Sequence, residues 1–265
     1  MLDDPYSRHF VHSLVLRVCL IHPLAARAFI GLLKSVFGAA GHFFLVLRAR
    51  YTDDVFDATL GREIDQLVLI GAGFDTTALR LASGAPVTIF EVDAPTTQAA
   101  KRAVVAGLPK VSDERQIVWV PCDFEHETLR GRLLDSGFDP ARPSLVVWLG
   151  VTAYLTREAL DAALADLAEL CAPGSQLVFD YLDTGIVTGD AQSLRSRLWA
   201  QAAARLGEPY LTGFAAADVD TLLAGHGFRC GRHLTTLELL QRYAPGSTDG
   251  PCADGRAAIT TAERL

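Results

Sequence analysis

The sequence predicts an α/β fold built on a mostly parallel sheet, with a helical cap at the N-terminus and an inserted helix after the fifth strand. Three observations carry that reading. From residue 66 onward, short aliphatic runs alternate with helical patterns, as crossover connections between parallel strands require. The runs LVLI, LVVWL and QLVFDY are apolar at consecutive positions, the pattern of strands buried on both faces. Residues 10–47 are the most apolar stretch and read as two or three amphipathic helices packed on the body or covering a lipophilic site.

Residues 1–60 are assigned to the cap and 61–265 to the sheet domain, the two forming one unit. Arg17, Pro23, Arg27 and Lys34 interrupt the apolar stretch, so no uncharged run reaches the roughly 18–20 residues of a membrane span. No signal peptide is evident, and a cytoplasmic protein is expected. Strands are predicted at Gln66–Ile70, Val87–Val92, Gln116–Val120, Ser144–Leu149, Gln176–Tyr181 and Phe228–His233, with a last one near Ala257–Thr261. Between them, Pro95–Ala106 starts on a proline suited to a first helical turn. Thr156–Cys171 opens with a TREA capping pattern and stops at Pro173-Gly174. Asp183–Gly189 reads as a loop, and Gln192–Leu206 as the inserted helix.

Composition narrows the function. Half of the 265 residues are hydrophobic, enough for a sizeable core, and the net charge of −7 argues against a nucleic-acid partner. The five cysteines are scattered and odd in number, which fits a reducing compartment with the thiols as small core residues. No metal site is expected.

The stretch LVLIGAGFDTTALRLA at 67–82 holds the most chemistry. A buried strand ends at Ile70, Gly71 and Gly73 make a tight turn, and a helix follows. Such a turn lets ligand atoms approach the backbone. The dinucleotide pattern would place a third glycine at 76, where Thr76 stands, so a pyrophosphate is poorly served. The next strand ends in EVD, with Glu91 and Asp93 at its end, where an acidic residue is the usual acceptor for a ribose diol. The third ends in VPCDF, offering Asp123 where an adenine amino group needs an acceptor. A ribose acid, an adenine acid and no phosphate loop point to S-adenosylmethionine.

The series RARYTDD (48–54), LIGAGFDTTALRL (69–81), FEVDAP (90–95), VPCDF (120–124) and WLGVTAYLT (148–156) resembles the leucine carboxyl methyltransferase family, and most closely its bacterial polyketide O-methyltransferase-like branch. The resemblance implies a class I, Rossmann-like methyltransferase that methylates oxygen, often a carboxylate. It implies that Gly71 and Gly73 pass under the methionine part of the cofactor, that Asp93 takes the ribose hydroxyls, and that Asp123 with Phe124 frames the adenine. Arg48, or else Arg50, would neutralise the cofactor carboxylate, and Tyr154 would stand beside the acceptor. The family usually has Glu where this chain has Leu149, so the cofactor ammonium there needs another partner. A leading helix typical of the family is missing ahead of LDDPYSRHF.

A carboxylate acceptor is already ionised near neutral pH and needs no general base. The seven histidines are dispersed, none marked for that role. The expected activity is methylation of a small natural-product intermediate or a peptide C-terminus. The alternatives are a catalytically silent cofactor-binding subunit and a nicotinamide oxidoreductase, the latter disfavoured by Thr76. The sequence assigns no oligomeric state.

Overall fold

The computed structural model describes residues 4–11, 24, 28, 31, 39–60, 64–81, 86–108, 115–124, 126–188, 200–201, 203–205, 207, 209–246 and 256–265. Its sheet is assembled from β1 (Gln66–Ile70), β2 (Val87–Asp93), β3 (Arg115–Pro121), β4 (Ser144–Trp148), β5 (Gln176–Leu182), β6 (Phe228–Cys230), β7 (Leu234–Thr235) and β8 (Ala257–Arg264). The order is β3-β2-β1-β4-β5-β8-β6, with β7 also paired to β8. The ladders joining β1 to β5 are parallel, whereas β8 runs antiparallel to β5, β6 and β7.

Continuous apolar runs become central strands because both of their faces are covered. β1 and β4 are buried at every position, and Val68 sits between Phe90 and Val146 in the ladder. On one face lie α4 (Leu129–Asp135), α5 (Arg157–Leu170) and α7 (Ala216–Gly225), whose Leu133, Leu164 and Leu223 meet Val68, Phe90, Trp148 and Phe179. On the other lie α1 (Ala39–Thr59), α2 (Thr77–Arg80) and α8 (Thr236–Tyr243), whose Phe44, Ala78 and Leu239 meet Leu67, Leu69, Ile89 and Val178. The remaining helices are α3 (Pro95–Val105) and α6 (Thr184–Val187).

The α5 prediction is met in detail. Thr156 Oγ1 accepts from the Ala159 N–H at 3.2 Å, and Leu160, Leu164, Leu167 and Leu170 form its buried stripe. Three readings need correction. Asp183–Gly189 is not a plain loop, because Asp183 caps the short α6 by accepting the Gly185 N–H at 2.8 Å. The strand expected at Phe228–His233 breaks after Cys230. There Gly231 lies so close to Thr261 that a Cβ would come within 3.1 Å of the Thr261 carbonyl oxygen. The last strand is longer than expected, and the reading assigned nothing to α4, α7 and α8.

Most of the apolar 10–47 stretch lies outside the described residues, as does most of the predicted 192–206 helix; residues 200–201 and 203–205 are helical. Within 10–47, α1 begins at Ala39. No helix among the described residues is long and apolar enough to cross a membrane.

Candidate active site

β1 lies between β2 and β4, where the direction of strand succession reverses, and its carboxyl end opens the crevice in which α/β sheets bind ligands. Gly71 and Gly73 both take left-handed backbone there, with φ of 65° and 44°. A Cβ at Gly71 would stand 2.3 Å from Val151 Cγ2, so the chain leaving β4 packs directly on this turn. At Gly73 an added Cβ would find, among the described residues, only the Gly71 carbonyl oxygen at 3.8 Å and Asp93 Oδ2 at 4.0 Å. That space above the turn is what a ligand lying on the backbone requires.

Asp93, the last residue of β2, is half-buried against the turn. Its Oδ2 accepts from the Gly73 N–H, and its Oδ1 accepts from the Ala94 N–H at 2.7 Å. A carboxylate offers about four lone-pair sites, so two backbone donors leave capacity for a pair of hydroxyls. The Asp93 carbonyl oxygen accepts from the Cys122 N–H at 2.9 Å, tying β2 to the start of the next loop. Asp123 follows and heads a turn in which its carbonyl takes the N–H groups of His126 and Glu127 at 3.0 and 2.8 Å. Phe124 beside it is 37% exposed, a flat apolar face next to the carboxylate. The structure therefore brings Gly71, Gly73, Asp93, Asp123 and Phe124 onto adjoining strand ends.

The N-terminal segment reaches the same place. Thr76 Oγ1 donates to Asp4 Oδ2 at 2.6 Å, and the Phe10 and Phe74 rings stand 5.8 Å apart.

The two candidate arginines part company. Arg48 pairs with Asp180 on β5 through Nη1, and a Cβ at Gly150 would lie 2.9 Å from its Nη2. Arg48 is thus held at the end of β4, one residue from the Val151 contact with Gly71. Arg50 instead pairs with Asp54 at 2.7 Å and lies over the Tyr243 ring at 5.7 Å, where α1 meets α8. Asp180 went unread in the sequence although an acid inside the apolar QLVFDY run was its signal. It is 3% exposed, and its Oδ1 accepts from the Gly150 N–H at 2.8 Å. Leu149 packs with the α1-side core, just past the end of β4. Because Trp148 is in register with Phe179, Leu149 and Asp180 are neighbours across the two strands.

Tyr154 closes a 3-10 turn after β4, with its ring 5.3 Å from that of Tyr210. Tyr210 in turn borders a recess of about 430 Å³ lined also by Ile186, Val187, Ala200 and Pro209. The position read as acceptor-side is therefore joined to a partly apolar hollow beside α6.

A second acid on β2, Glu91, faces inward to Lys101 of α3, whose Nζ stands 2.7 Å from its Oε2 with both side chains 1% exposed. This is an ion pair out of line for a hydrogen bond. Burial pushes the Glu91 carboxyl up to about 7, against the pull of Lys101.

Comparison with known proteins settles the family. The leucine carboxyl methyltransferase family model matches residues 1–168. The chain belongs to this family. A relative from Mycolicibacterium gilvum, named "Putative S-adenosyl-L-methionine-dependent methyltransferase", is 34% identical over 72% of this chain. One from Rhodococcus jostii with a name of the same kind is 30% identical over 95% of this chain and 83% of its own. The aligned stretch spans under two thirds of the Mycolicibacterium gilvum protein and of a Bacillus subtilis relative, 63% and 62%. Among solved structures, a duf574 family protein from Streptomyces avermitilis superposes with a TM-score of 0.66 at 14% identity, over 92% of both chains. A "putative methyltransferase" from Thermobifida fusca gives 0.61 at 15% identity, over 91% of this chain and 88% of its own. These likenesses show the class I methyltransferase fold.

Proposed function

We propose that this family member binds S-adenosylmethionine across the ends of β1, β2 and β3 and methylates an oxygen, most simply a carboxylate, of an acceptor lying toward Tyr154. The observation that carries the reading is Asp93, clasped by the Gly73 N–H at the open side of the glycine turn. That clasp fixes the carboxylate before any ligand arrives, so little ordering is left to offset on binding. Asp123 and Phe124 offer an acceptor and an apolar face for an adenine. Arg48 has five N–H donors and commits Nη1 to Asp180, so its fork can also meet the cofactor carboxylate. The names of the relatives support the same cofactor.

When bound, the cofactor supplies an electrophilic methyl group. The chain's own residues then have to align the acceptor and keep water from its oxygen. An ionised carboxylate needs no proton removed, so this reading calls for no general base. The Tyr154–Tyr210 pair and the recess beyond it favour a partly apolar acid, a natural-product intermediate or a peptide C-terminus.

Calorimetry with S-adenosylmethionine tests the reading. Asp93→Ala should weaken binding by about 1.5–3 kcal/mol, roughly tenfold to a hundredfold, the scale of charge-assisted bonds. Because the Gly73 clasp is lost too, Asp93→Asn, which keeps an acceptor for that N–H, should still lose at least half of this. Unchanged affinity in both variants refutes the site. Binding without methyl transfer to any apolar acid would instead favour a silent subunit.

A further inference from the structure

Far from the glycine turn along the sheet, three side chains converge where α7 meets the end of β6. We propose that Asp220, Cys230 and His233 form a binding site for a divalent zinc-like cation that pins α7 to the β6–β7 turn. The proposal is independent of the methyltransferase reading. A carboxylate oxygen of Asp220, Cys230 Sγ and a ring nitrogen of His233 all lie within 4.8 Å of one another. Each comes from a different piece of backbone: Asp220 from α7, Cys230 from the last position of β6, and His233 from the turn before β7. Contrary to the expectation of no metal site, Cys230 and His233 form a Cys-x2-His step with an acid ten residues upstream.

The hydrogen bonds around the cluster suit coordination and do not suit nucleophilic catalysis. His233 Nε2 lies 2.9 Å from Asp220 Oδ1, and its Nδ1 lies 2.9 Å from the Tyr181 hydroxyl. With both ring nitrogens so placed, the imidazole has no nitrogen left to act as a base for Cys230, whose Sγ lies within 4.8 Å of the Asp220 carboxylate. A cation on Nε2 leaves the Nδ1 proton to the Tyr181 hydroxyl, the outer bond that orients nearly every metal-bound histidine. Tyr181 itself is anchored in β5 and packed on Phe214, so that support is rigid.

In a tetrahedral site with Zn–N and Zn–O near 2.0–2.1 Å, the nitrogen and oxygen stand about 3.3 Å apart. The observed 2.9 Å has to open by only a few tenths of an ångström. Mixed sulfur, nitrogen and oxygen donors favour zinc or cobalt over magnesium or calcium. Asp220 is half exposed, with 53% of its side chain in solvent, so a fourth position remains open to water and the site has an entry path. Binding exchanges the Cys230 thiol proton for the cation and releases it to solvent.

The full chain, stripped of metal with a chelator, is titrated with cobalt(II) chloride and then zinc chloride. One equivalent of cobalt should produce a thiolate-to-cobalt charge-transfer band that zinc abolishes, and zinc should raise the melting temperature. Cys230→Ser should lose the band, and His233→Ala should weaken zinc at least a hundredfold. Tyr181→Phe keeps all three ligands and should weaken zinc by about 10–100-fold through the lost outer bond. Wild-type protein with neither a band nor a melting shift overturns the site, whatever the variants do. A Cys230→Ser protein that folds and binds zinc as tightly as the parent overturns it equally.

Discussion

At position 149, where the resemblance leads one to expect a glutamate, the structure shows what surrounds the leucine instead. Leu149 is the cross-strand neighbour of Asp180, whose carboxylate already holds Arg48 and the Gly150 N–H. Read from sequence alone, Leu149→Glu looks like a repair that restores an acceptor for the cofactor ammonium. With Asp180 beside it, the added carboxylate becomes a second negative charge competing for Arg48 in a largely enclosed corner. The expected outcome is S-adenosylmethionine affinity lowered by about 1–2 kcal/mol, a factor of roughly 5–30. Leu149→Gln, with the same length and no charge, should lose less. Titration of both variants decides it, and tighter binding by the glutamate variant would show that the added charge does not compete for Arg48. The cysteine reading divides in the same way. Cys122 and Cys171 are buried, and burial pushes each thiol up to about 11, as inert core residues should behave. Cys230 differs only because α7 brings Asp220 to it, a juxtaposition that spacing along the chain suggests but cannot fix.

The β2–α3 unit holds a buried ion pair, Glu91 with Lys101. Glu91 and Lys101 are both removed from water, and the carboxyl is held near 7 against an ordinary value of 4.5. Across that window the folded chain holds more protons than the unfolded one, so this group's contribution to stability falls as pH rises from about 4.5 to 7. Urea unfolding at several pH values should show that decline in the parent and a flatter profile in Glu91→Gln. Lys101→Met alone should cost about 3–5 kcal/mol by leaving an unpaired acid, whereas Lys101→Met with Glu91→Leu should be neutral or stabilising. Equal losses in the single and double variants would contradict this account. Elements were legible where a single signal sufficed. β1, β2 and β4 were readable because each is a continuous apolar run, and α5 because Thr156 caps a clean stripe. α8 carried a signal that was missed: Thr235 Oγ1 and Glu238 form a reciprocal capping box, but only eight residues follow. α7 lacks such a start, since Ala215 offers no side-chain acceptor and Asp218 merely accepts its N–H at 3.1 Å. α6 hid because four residues give no periodicity.

Over the whole molecule, the order of the glycine turn, Asp93 and Asp123 along the chain was enough to place them on neighbouring strand ends. That is a property of parallel βαβ succession, in which each strand's carboxyl end reaches the same edge of the sheet. The sequence could not show which arginine returns to that edge, because α1 precedes the sheet and its rotation is set by packing. Phe44 and Leu47 turn into the core and leave Arg48 at β4, whereas Arg50 points to Asp54 and α8. The recess next to Tyr210 is equally a product of assembly, joining residues 186–187 with 209–210. Tyr210→Ala should raise KM for an apolar acid severalfold while leaving cofactor affinity within about 0.5 kcal/mol, since its ring packs on Tyr154 and borders the recess. A parallel loss of cofactor binding would place that ring elsewhere in the site's function.

The antiparallel β8 also governs how the chain comes into being. It inserts between β5 and β6, pairing Gln176 with Glu263 and Phe228 with Arg264, yet it is made after both. Between Leu182 and Ala257 the ribosome adds about 75 residues, which at 5–20 residues per second takes roughly 4–15 s. Throughout that interval β5 presents an apolar, unpaired edge, the kind of surface on which nascent chains stick to one another. Synthesis therefore has a vulnerable phase that ends only when the β8 segment clears the exit tunnel. Chains stalled at residue 250 should be protease-sensitive and retained by chaperones, and released chains that carry residues 251–265 should become resistant within one folding time. A stalled chain already resistant at 250 would mean that β5 needs no late partner, and that the older part of the sheet folds as it emerges.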